Sequence, residues 1–124
     1  MKILVAEDEV MMAKTIEFRL KKDGHTILSA KDGKEAIALL VSNDPDLVIT
    51  DIMMPYASGL EVVAAVRKKK GSDIPIIVLS AIGQEDTVLE AFDLGADDYV
   101  TKPFSPNELS ARVKKMLIKL ISAT

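Results

Sequence analysis

Short apolar runs alternate with longer periodic stretches along this chain. Lys2–Ala6, Thr26–Ser29, Leu47–Thr50, Ile76–Leu79 and Tyr99–Val100 are brief and largely apolar, and rich in β-branched residues. Such runs predict strands buried on both faces of a parallel sheet. Between them, apolar residues recur at helical spacing over about Val10–Lys22, Gly33–Val41, Gly59–Lys69, Glu85–Leu94 and Pro106–Ile121. Local chemistry marks the ends. Asp23-Gly24 closes the first helix, where Lys21 and Lys22 favour the negative end of the helix dipole. Ser58 followed by Glu61 reads as a capping box for the third, and Arg67-Lys68-Lys69-Lys70-Gly71 as its solvated basic end. Leu94-Gly95 stops the fourth. Ser105, Pro106 and Glu108 together start the last.

Five βα units in succession, without a long linker or a repeat, predict an α/β fold: a doubly wound parallel sheet with right-handed crossovers and helices on both faces. The 124 residues read as one domain, 1–124, with no output domain in the chain.

Composition narrows the function. The formal charge of −3 argues against gripping nucleic acid or an anionic membrane by electrostatics alone. There is no cysteine, which removes disulfides and thiolate chemistry. The single histidine, His25, reads as a strand-edge residue without a catalytic role. No apolar run approaches the roughly 18 residues of a membrane span. The N-terminus lacks a signal-peptide pattern, so the cytoplasm is the expected location.

Open parallel sheets bind ligands at the C-terminal tips of their strands, beside the point where strand order reverses. The first strand delivers Glu7 and Asp8 there, followed by Glu9, whose position suits the dipole of the first helix. The second delivers Ser29 and Ala30, which look inert. The third delivers Asp51, the fourth Ser80, and the fifth Thr101 and Lys102 ahead of Pro103. Three carboxylates in one small volume repel each other unless a cation neutralises them or protons remain bound. Hard carboxylate oxygens suit Mg²⁺, or Mn²⁺ in its place. A lysine and a hydroxyl beyond the metal suit the remaining oxygens of a phosphoryl group. Asp51 then reads as a carboxylate nucleophile.

Glu7-Asp8, Asp51, Ser80 and Lys102-Pro103, in this order and spacing, resemble the receiver domains of two-component response regulators. The strings Asp51-Ile52-Met53-Met54-Pro55 and Leu94-Gly95-Ala96-Asp97-Asp98-Tyr99-Val100-Thr101-Lys102-Pro103-Phe104 carry the resemblance furthest, and it covers essentially the whole chain. It implies a flavodoxin-like sheet of order 2-1-3-4-5. It implies a signalling switch, not an enzyme acting on a released substrate, that accepts a phosphoryl group from a histidine kinase or phosphotransfer protein. Asp51 would be the phosphoacceptor. Asp8, Asp51 and the Met53 carbonyl would ligate Mg²⁺, with Glu7 acting through water. Ser80 and Lys102 would bind phosphoryl oxygens, the Lys102-Pro103 bond would be cis, and Tyr99 would be the switch aromatic that turns inward with Ser80. The backbone from Ser80 to Gln84 would move with it and reshape the face made by the fourth helix, fifth strand and fifth helix.

Glu7 stands where aspartate is commoner in the family, and Ser80 where threonine is. Small Ala81 leaves the site open to phosphodonors. Met53 and Ile82 flank it and cannot orient an attacking water, so a long-lived phosphoryl group is expected; a half-life of seconds would refute this. The resemblance places kinase docking on Met12, Thr15, Pro103 and Phe104. Its last third is nearest to receivers of winged-helix transcription regulators, which dimerise through paired charges. Asp97, Asp98, Glu108, Arg112 and Lys115 match that pattern, whereas Val88 and Leu94 break it. Exposed ion pairs contribute only about 0–1 kcal/mol each, so the resemblance allows a homodimer without securing one.

Other phosphate chemistries lack their residues. A haloacid-dehalogenase-type hydrolase needs a second aspartate at position 53. A P-loop or dinucleotide site needs glycines that are absent after the first strand, and a flavin site needs a hydroxyl-rich loop there. The non-enzymatic alternative is a degenerate receiver acting as a constitutive interaction module, against which the complete acid set, Ser80 and Lys102 speak.

Overall fold

The computed structural model describes residues 1–69 and 73–122. Its elements alternate strictly: β1 (Lys2–Ala6), α1 (Val10–Lys22), β2 (Thr26–Ala30), α2 (Gly33–Ser42), β3 (Leu47–Asp51), α3 (Gly59–Lys68), β4 (Ile76–Ser80), α4 (Glu85–Leu94), β5 (Asp98–Thr101) and α5 (Pro106–Ser122). All strand pairs are parallel, in the order β2-β1-β3-β4-β5. The doubly wound sheet and its order are those expected.

Side chains alternate along each strand, so the sheet has two separate apolar faces. Leu4, Ala6, Val48, Ile76 and Val78 pack with Val62, Val66, Val88 and Ala91 under α2, α3 and α4. Ile3, Val5, Ile49, Ile77 and Leu79 pack with Ile16, Leu20, Leu109 and Val113 under α1 and α5. The three central strands are buried throughout, apart from half-buried Lys2. This is why they read as continuous apolar runs in sequence.

The ends follow the local chemistry. Ser58 and Glu61 form the expected capping box. Ser105 Oγ accepts the Glu108 N–H at 3.1 Å. Gly24 and Gly95 take positive φ at 96° and 118° and close α1 and α4. Asp32 caps α2 by accepting the Glu35 N–H at 2.8 Å, a cap the pattern did not single out.

The basic end of α3 differs from expectation. Arg67 is a structural clamp: it donates to the carbonyls of Gly95 and Ile74 and to Asp97 at 2.7–3.0 Å. Lys69 reaches the carbonyls of Leu40 and Asn43, and Asp44 at 2.8 Å. Helix-end carbonyls and loop carbonyls have no partners in the ladder, and long basic side chains supply them. The run is therefore tied down at Arg67 and Lys69, with only Lys68 exposed among its described members. The expected stop at Lys70-Gly71 and the last two residues, 123 and 124, lie outside the described residues.

His25 lies before β2, at the end of the sheet opposite the strand tips discussed below. Among the described residues its buried Nδ1 has no hydrogen-bond partner, and burial lowers its pKa. No helix among the described residues is long and apolar enough to cross a membrane.

Candidate functional site

The register of the sheet assembles the site. β1 and β3 pair up to Ala6 and Thr50, so Glu7 and Asp51 stand side by side one residue further on. Asp51 pairs with Leu79, which places Ser80 one step beyond it on β4. Ser80 in turn pairs with Thr101, and Lys102 follows. The reversal of strand order lies between β1 and β3, so the acids occupy the cleft where an open α/β sheet takes its ligand.

Carboxylate oxygens of Glu7, Asp8 and Asp51 lie within 4.8 Å of one another. Glu7 and Asp51 are buried, at 2% and 6% exposure, while Asp8 is exposed. Lys102 bridges the two buried acids. Its Nζ donates to both oxygens of Glu7 at 3.0 and 3.1 Å and to Asp51 Oδ2 at 2.7 Å. One ammonium therefore meets two of the three carboxylates directly. Burial, reinforced by the neighbouring Asp51 and opposed by Lys102, pushes Glu7 up to about 7. Burial works against the Lys102 ammonium, yet its bonds to Asp51 and Glu7 outweigh that and hold its pKa above the usual lysine value. An all-oxygen donor set with an excess of negative charge and one solvent-facing member fits a hard divalent cation.

The backbone around Asp51 is held closely. Gly59 donates its N–H to the Ile52 carbonyl at 2.7 Å. A Cβ built on Gly59 would lie 2.0 Å from the Asp51 carbonyl oxygen, so only glycine fits there. The Lys102-Pro103 bond is cis. The Lys102 N–H donates to the Ser80 carbonyl at 2.6 Å, which ties the tips of β4 and β5 together. After β4 the chain turns back on itself through Gln84, whose Oε1 accepts the Ala81 N–H at 2.6 Å. Ser80 is buried beneath this turn at 2% exposure, whereas Met53 and Ile82 flank the site at 57% and 79%.

The surface candidates have mixed positions. Tyr99 is partly exposed and lies edge-on to Phe92, with ring centroids 5.9 Å apart and planes at 86°. Met12 and Phe104 are half-buried and pack against the core under α1 and α5, while Thr15 and Pro103 are exposed. The more exposed apolar residues of α1 are Val10, Met11 and Phe18, which the helical pattern did not select. Asp97 accepts the Ile76 N–H at 2.8 Å in addition to Arg67. Asp98 is gripped by Arg112 at 2.9 and 3.1 Å, with Glu108 3.7 Å from Arg112. Lys115 borders a shallow depression with Glu108 and Arg112. Most of the charges expected on a dimer face thus have partners within the chain.

Gly59, Gln84, Phe92 and Arg67 escaped sequence reasoning. Gly59, Phe92 and Arg67 meet residues too far away in sequence for a local pattern to pair them, and only the three-residue spacing from Ala81 to Gln84 could have hinted at a contact.

Residues 3–114 match the family model of the response regulator receiver domain. Among solved structures, the chain is similar to the receiver domain of the Francisella response regulator 1452, with 37% identity over 96% of this chain and 98% of that one, at a TM-score of 0.86. A response regulator receiver domain protein from Clostridium thermocellum is 30% identical over 99% and 98% of the two chains, at 0.90. The chemotaxis response regulator CheY4 of Vibrio cholerae is 29% identical over 92% and 96%, at 0.86.

Proposed function

Since the chain belongs to the response regulator receiver domain family, in which phosphorylation controls signalling, we propose that it is a switch set by phosphorylation of Asp51. The donor is the phosphohistidine of a histidine kinase or a phosphotransfer protein. The observation that carries this reading is the placement of Lys102, which reaches Asp51 and Glu7 at once at the tips of three adjacent strands.

Asp51 attacks phosphorus through a carboxylate oxygen. An acyl phosphate bond forms, the P–N bond to the donor histidine breaks, and the nitrogen keeps the electron pair. Asp8, Asp51 and the Met53 carbonyl would hold Mg²⁺, with Glu7 reaching it through water, and the bound ion would supply positive charge to offset that on the transferring oxygens. Lys102, already on Asp51, follows the negative charge outward to a phosphoryl oxygen. The Ser80 hydroxyl takes another, which requires the Ala81–Gln84 turn to shift. Tyr99 turns inward behind it, and the α4–β5–α5 face changes shape. The domain catalyses only its own phosphorylation and dephosphorylation. Met12, Thr15, Pro103 and Phe104 are proposed to meet the kinase. A homodimer through α4–β5–α5 would have to re-pair Asp98 and Arg112, which already hold each other.

Incubation with Mg²⁺ and acetyl phosphate, read by intact mass, tests the proposal. The parent gains one phosphoryl group and Asp51→Asn gains none. No gain in the parent would mark a degenerate receiver and overturn the reading.

A further inference from the structure

We propose that Phe92 is a latch on Tyr99: it holds the ring outward and so sets how far the domain is switched on before phosphorylation. The inference rests on Tyr99 being the switch aromatic, as proposed above, and adds a positioning residue on α4.

Tyr99 and Thr101 project from the same side of β5, as alternation requires, while Val100 between them is buried in the opposite core. Both line an open cleft of about 300 Å³ between α4 and β5, which Ser80, Val88, Leu89 and Phe92 also line. Glu85, Leu89 and Phe92 fall at helical spacing, so one stripe of α4 forms its wall. The ring of Tyr99 rests against Phe92 in an edge-to-face pair. Among the described residues no hydrogen bond is made by the Tyr99 hydroxyl, so packing alone places the ring. Ser80, toward which the ring would turn, lies on the same cleft. On this proposal a ring turned in beside Ser80 gives up its edge contact with Phe92. Leaving Phe92 is therefore part of the work of switching. An edge-to-face aromatic pair biases a two-state equilibrium by about 2- to 12-fold. A ligand that binds only the inward state has its apparent affinity reduced by the fraction of molecules in that state.

The chain has two tyrosines, Tyr99 and Tyr56, and no tryptophan. Incorporating 3-fluorotyrosine gives two ¹⁹F signals, and exposed Tyr56 on the loop after β3 serves as the reference in the ligand-free state. The full chain, Phe92→Leu and Phe92→Trp are titrated with beryllofluoride, a phosphoryl mimic, in the presence of Mg²⁺. Leucine keeps an apolar side chain and removes the ring; tryptophan keeps a ring. In ligand-free Phe92→Leu the Tyr99 signal is expected part-way toward its ligand-bound position, with Tyr56 unmoved. The apparent dissociation constant is expected to fall by about 2- to 12-fold, and Phe92→Trp to return toward the parent. A Tyr99 signal that moves in the parent, with Phe92→Leu titrating identically or more weakly, overturns the latch alone. A Tyr99 signal that does not respond to beryllofluoride in the parent overturns the switching role of Tyr99 and the latch with it.

Discussion

Lys102→Met tests the electrostatic description of the site most directly. The substitution keeps an unbranched apolar stem and removes the ammonium. Glu7, whose side chain is fully buried, and Asp51, at 8% side-chain exposure, then face each other and Asp8 without a cation. Removing one partner of a buried pair costs about 3–5 kcal/mol. Lys102 is itself one-fifth exposed, so about 3 kcal/mol is expected here. The protein has two ways to recover. Glu7 can keep its proton to still higher pH, since the partner that lowers its pKa has gone. A divalent cation can replace the lost charge, stabilising by mass action in proportion to its occupancy. Urea denaturation at pH 7.5 without Mg²⁺ therefore shows the full loss. The loss shrinks at pH 5.5 and also shrinks on adding millimolar Mg²⁺. An unchanged midpoint under all three conditions would refute this account of the site.

Other perturbations follow from the same contacts. Glu7 holds its proton more tightly folded than unfolded, so its contribution to stability is greatest below its ordinary value of 4.5 and declines as pH rises toward about 7. The decline amounts to at most about 3 kcal/mol and less where solvent reaches the group; Glu7→Gln should flatten it, as urea midpoints at pH 4.5 and 8 in chelator will show. In Gly59→Ala the new methyl meets the Asp51 carbonyl at 2.0 Å, so the tip of β3 must move. Labelling by acetyl phosphate should drop at least tenfold (on the order of 1.4 kcal/mol of barrier) even at temperatures where circular dichroism shows a folded chain, and parent-like labelling would contradict the packing. Arg67→Ala leaves the Gly95 and Ile74 carbonyls and Asp97 without their shared donor, at about 2–4 kcal/mol. Arg67→Lys should recover less than half of that in chemical denaturation, because an ammonium lacks the planar fork.

Much of this protein is legible without coordinates. Strands buried on both faces are apolar at nearly every position, so Leu47–Thr50 and Ile76–Leu79 announce themselves. Helices ended by Gly24, Gly95, Ser58 and Ser105 are bounded by chemistry that acts within four residues. Given that alternation, the rule that ligands meet strand tips brings Glu7, Asp8, Asp51, Ser80 and Lys102 together on paper, and the structure places them at adjacent tips.

What stayed hidden depends on distances between elements, which no local pattern encodes. Arg67 looks like any cation at a helix end until the α4–β5 corner is packed beside it. Gly59 looks like a helix start until the Asp51 carbonyl lies against it. Phe92 looks like one more apolar helix position until Tyr99 arrives from β5, and Asp98 and Arg112 look like charges for a partner until they are seen holding each other. The chain's periodicity and its capping residues determined the elements and the doubly wound class, because these are short-range preferences repeated many times. Tertiary packing decided which cation neutralises which acid and which ring rests on which, because those choices turn on ångström-scale proximity between segments far apart in sequence.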